Sequence, residues 1–180
     1  KRNAAKEISA QYLMMLHLSS FKSYDPVFQT IANEQKPESC YALAKLLGEV
    51  KDEKSRDILV QLLDNENSIV QGEVVRQLSD EAPEFIGPIL LAHLDSAGES
   101  GIYPSNLMDP VMNRVDGGKI EIIRTLGEIK YKPAATSLLP LLETEEDYIF
   151  ELVTNVLIQL NSKDFIHYIN NHLKKGTKPL

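Results

Sequence analysis

The chain has 180 residues, one cysteine, no tryptophan and a formal net charge of −7 from 19 basic and 26 acidic side chains. Apolar content of 43% beside 25% charged residues is that of an ordinary globular protein and excludes a disordered polyelectrolyte. No apolar run approaches the ~18 residues of a membrane-spanning helix. Nor is there a basic stripe to release counterions from nucleic-acid phosphates, because the basic residues gather only at the two ends, at Lys1, Arg2 and Lys6, then Lys174, Lys175 and Lys178. The lone Cys40 forms no internal disulfide, which fits a reducing, cytoplasmic location. The first residue is Lys1 rather than Met and no signal-peptide pattern follows it, so a piece of a longer chain is expected.

The elements repeat. The first unit, residues 3–35, places Leu16, Val27, Phe28 and Ile31 in a register that recurs 31 positions later at Leu47, Ile58, Leu59 and Leu62. In the second unit, residues 36–66, apolar residues at Tyr41, Leu43, Ala44, Leu46, Leu47 and Val50 have helical spacing. A polar connection, Lys51-Asp52-Glu53, leads to a second helix over 55–63 with Ile58, Leu59, Leu62 and Leu63 on one side. So short a connection forces the two helices antiparallel. The third unit, residues 67–96, repeats the step at Ile89, Leu90, Leu94 and Asp95. An insertion at 97–117 follows, "AGESGIYPSNLMDPVMNRVDG", where Asp109-Pro110 predicts a short helical turn over 110–115. The fourth unit, residues 118–144, contains Leu126-Gly127-Glu128-Ile129, which answers Leu47-Gly48-Glu49-Val50 at a distance of 79; two steps of 31 and 17 inserted residues account for it. The fifth, residues 145–175, continues the register at Leu157, Ile169 and Leu173. No stretch alternates as a strand does, so the expected fold is all-α. Each pair alone buries too little to be stable, and stacking on its neighbours supplies the rest.

"LLPLLETEEDYIFELVTNVLIQL", residues 138–160, resembles a HEAT repeat, and residues 42–78 resemble its shorter, phycobilisome-lyase-like relative, whose period is near 31. The resemblance covers roughly residues 8–173 and is strongest in the second and fourth units. It implies a right-handed α-solenoid of about five antiparallel pairs in one armadillo-type domain. The chain departs from the family pattern where Gln71 follows Val70 and Phe150 follows Ile149, in place of the arginine of the family's Asp–Arg ladder.

Residues able to carry chemistry are scattered. His17, His93, His167 and His172 are followed by Leu18, Leu94, Tyr168 and Leu173, so the His-Glu steps that hold iron in the HEAT-like deoxyhypusine hydroxylases are missing. His167 and His172 are five apart, off the spacing of a helical metal pair. No catalytic, metal or cofactor site is assigned. Cys40 reads as a buried inert thiol, the acidic run 143–147 as an exposed turn whose charges suit the next helix's dipole, and Pro88 and Pro140 as structural. Gly48 and Gly127 read as points of close helix approach or as helix ends rather than phosphate loops, for which the motifs are lacking.

The resemblance implies that the second helices line a concave face. Carrying the register of the second unit through the others gives three columns: Gln29, Val60, Leu91, Leu139 and Asn170; Thr30, Gln61, Ala92, Pro140 and Asn171; Asn33, Asp64, Asp95, Glu143 and Lys174. The middle is apolar with an acidic edge. The expected function is a non-catalytic scaffold that binds a protein or peptide there, through Val60, Gln61, Asp64, Leu91, Asp95, Leu139 and Glu143, or through Tyr103, Leu107 and Met108 of the insertion. The expected partner is therefore protein, with no nucleic acid and no membrane contact by this segment itself. Two alternatives are a lyase-like subunit handling a bilin chromophore and a cytosolic HEAT domain of a membrane protein.

Overall fold

A computed structural model describes residues 25–97, 100–102, 114–144 and 146–174. The first helix expected in the first unit, the tip of the insertion with Tyr103, Leu107 and Met108, and most of the 110–115 turn lie outside the described residues, as does the side chain of Lys174.

Among the described residues there are nine α-helices: α1 Asp25–Glu34, α2 Pro37–Val50, α3 Glu53–Leu62, α4 Ser68–Leu78, α5 Pro83–His93, α6 Gly118–Glu128, α7 Ala134–Leu138, α8 Asp147–Gln159 and α9 Lys163–Lys174. None is long and apolar enough to cross a membrane. Their ends follow from local chemistry. Pro37 and Pro83 start α2 and α5, where a missing N–H costs nothing. Asp52 caps α3 by accepting from the Ser55 N–H at 2.7 Å, and Asn67 caps α4 by accepting from Ile69 and Val70.

The first helix of three pairs closes in the same way. Lys51, Lys130 and Asn161, which hold equivalent places in the repeat, all lie in the left-handed region with φ of 53°, 54° and 50°. Behind two of them the backbone closes over five residues, from Tyr131 N to Leu126 O at 3.0 Å and from Ser162 N to Leu157 O at 3.3 Å. That is the Schellman ending usually given to glycine, and a side chain there costs roughly 1 kcal/mol.

Two expectations need correction. The insertion is not free of strand, since β1 (Ser100–Ile102) pairs antiparallel with β2 (Arg114–Asp116), Gly101 opposite Val115. Arg114 and Val115, the last two residues of the expected turn, are therefore extended, their backbone paired with Ile102 and Gly101. The second helix of the fourth unit is also not one α-helix. It ends at Leu138 and continues as a 3-10 turn, Leu139–Glu143. Pro140 has no N–H to donate to the fourth carbonyl back, so the α ladder fails there. Pro88, by contrast, sits inside α5 on its exposed side.

The helices gather into two compact units, each discontinuous in sequence. The first comprises residues 1–81 and 95–121. In it α2 packs on α3 as a hairpin, α1 packs on α3, and α2 packs on α4, so that second helix meets second helix and first meets first. The strands β1 and β2 rest on α4. Its core includes Phe28, Leu43, Leu47, Leu59, Leu62, Leu63, Ile69, Val74 and Leu78. The second unit comprises residues 82–94 and 122–180, so α6 gives its first turn to one unit and its remainder to the other. Within the second unit α7 touches α5, α8 and α9, and Leu90, Ile123, Leu126, Leu138, Val153 and Leu157 are buried.

Gly48 and Gly127 have one explanation. A Cβ on Gly48 would fall 2.7 Å from Cγ of Gln77, and one on Gly127 would fall 2.9 Å from Cγ2 of Val156. Each glycine thus meets the residue 29 positions later, on the first helix of the next pair. The recurring Leu-Gly-Glu marks the same close approach of helices in both units, as the sequence predicts.

Candidate functional site

The burial pattern of α3 is two-sided. Ile58, Leu59, Leu62 and Leu63 are buried, while Asp57 and Asp64 are exposed and Val60 and Gln61 half-buried. That is the split expected from a 100° step per residue. In the first unit this places Val60, Gln61 and Asp64 on one stripe beside α1, whose Gln29, Thr30 and Asn33 are exposed. The register weakens at one point of α1: Val27, expected in the core, is 46% exposed, and only Phe28 and Ala32 are buried.

A hydrogen-bonded set of amides ties the stripe together. Gln29 Nε2 donates to Gln61 Oε1 at 2.6 Å and to Asn33 Oδ1 at 3.3 Å, and Gln61 Nε2 donates to Asn33 Oδ1 at 2.9 Å. These residues occupy all three expected columns.

In the second unit Leu91 on α5 and Leu139 on the 3-10 turn are half-buried, while Ala92, Pro140, Glu143 and Asn170 are exposed. Tyr168 of α9 lies near Glu143; burial, then the Glu143 carboxylate, raises its phenol pKa. Asp95, past the end of α5, is exposed and belongs to the first unit. The structure therefore brings Val60, Gln61 and Asp64 together in one unit and carries Leu91, Leu139 and Glu143 in the other. The insertion's stem rests on α4, a first helix, whereas the amide stripe is on α1 and α3.

Two polar networks were not anticipated. Gln35 Oε1 accepts from Asn65 Nδ2 at 2.6 Å, and Gln71 Nε2 donates to the Asn65 carbonyl at 2.8 Å, with Asn65 and Gln71 buried. Arg76 donates to Glu73 at 2.8 Å and to Glu121 at 2.9 Å, joining α4 to the first turn of α6. Both carboxylates are buried, Glu73 at 4% and Glu121 at 7% exposure. Burial works against the guanidinium charge, but the two carboxylates more than offset it and hold the Arg76 pKa above its ordinary value. The sequence carries only a faint signal of this network, charged residues on otherwise apolar helical faces.

The carboxylate pair is already bridged by a guanidinium, and among the described residues no three His, Cys, Asp or Glu converge as metal ligands. Cys40 is fully buried with its Sγ 3.6 Å from the Ile31 carbonyl; burial first, and Glu34 second, push its thiol up to about 11, away from nucleophilic use. What the arrangement offers is surface, in the form of an amide-rich acidic stripe on α1 and α3 and exposed apolar and acidic residues in the second unit. Compared with protein-family models, curated proteins and solved structures, the chain has no match.

Proposed function

We propose that the chain is a non-catalytic binding module, an α-solenoid of short HEAT-like pairs whose second helices present a face to a protein or peptide partner. The observation that carries this reading is the two-sided burial of the second helices: α3 buries Ile58, Leu59, Leu62 and Leu63 and leaves Asp57, Val60, Gln61 and Asp64 at least partly in solvent. An apolar centre with a polar, charged rim is the anatomy of a protein-binding surface. The packing of α1 on α3 and of α2 on α4 supports stacked pairs as the organising unit.

The test is the double substitution Leu91→Ser with Leu139→Ser. Partner capture from native lysate should be lost while the far-ultraviolet helical signal and the monomer remain. If the variant unfolds instead, these leucines belong to the core and the proposed face is wrong.

A further inference from the structure

We draw no further inference here: the strongest candidate, the surface patch on α8 and α9 where Tyr148, Ile158 and Ile166 are exposed, carries nothing further because nothing in the structure shows what covers it.

Discussion

Asp52 shows how one side chain sets a boundary. It ends the connection after α2 and caps α3, and bonds first from the Ser55 hydroxyl and then from the Ser55 N–H hold its carboxyl pKa below the ordinary value. A carboxyl whose folded pKa is depressed stabilises the fold above its unfolded pKa, and that contribution is lost as pH falls through the folded pKa. Asp52→Ala should therefore cost about 1 kcal/mol at neutral pH. The gap between variant and parent should close as the solution is acidified below the ordinary carboxylate range. Urea midpoints measured across that range check it, and a constant gap would mean that the capping carboxylate is not what stabilises the helix. Cap residues of this kind are legible from sequence because donor and acceptor are three residues apart. The amides of Gln29 and Gln61 are not, because only the packed α1–α3 pair brings them within 2.6 Å.

At the scale of the element, the repeated Leu-Gly-Glu makes a prediction that runs against helix propensity. Replacing a glycine inside a helix by alanine ordinarily stabilises by about 0.5–1 kcal/mol. At Gly127 the new methyl would press on Cγ2 of Val156 at 2.9 Å and on Oε1 of Gln159 at 3.0 Å. Val156 is buried and β-branched, so it has no second rotamer to retreat into. Gly127→Ala should therefore destabilise by about 1–3 kcal/mol, the usual cost of overpacking, read as a lower melting temperature. A rise would show that the helices are not in close contact there. The pairs themselves were legible because apolar spacing, prolines at helix starts and polar connections are local signals. The α-to-3-10 switch at Leu139 was visible only as Pro140, and a three-residue ladder such as β1–β2 carries too few residues to alternate detectably.

Across the molecule, Arg76 joins parts of the chain that the insertion separates. Its partners Glu73 and Glu121 lie three and 45 residues away, both within the first compact unit. Arg76→Met would leave two buried carboxylates without the cation between them. Breaking a fully buried ion pair costs about 3–5 kcal/mol. With the guanidinium 34% exposed to solvent, a loss of about 2 kcal/mol is expected, read as a lower urea midpoint with unchanged slope. An unaltered midpoint would make the bridge ornamental. No periodicity announces such a link, since its partners are fixed by the path of the chain around the insertion.

The division of α6 has a consequence for biosynthesis. Because residues 95–121 complete a unit begun by residues 1–81, a nascent chain leaving the ribosome cannot finish that unit when α4 emerges. It lacks about forty further residues, 82–121, of which 95–121 belong to that unit. The contacts of that unit can therefore be complete only after residue 121 has emerged.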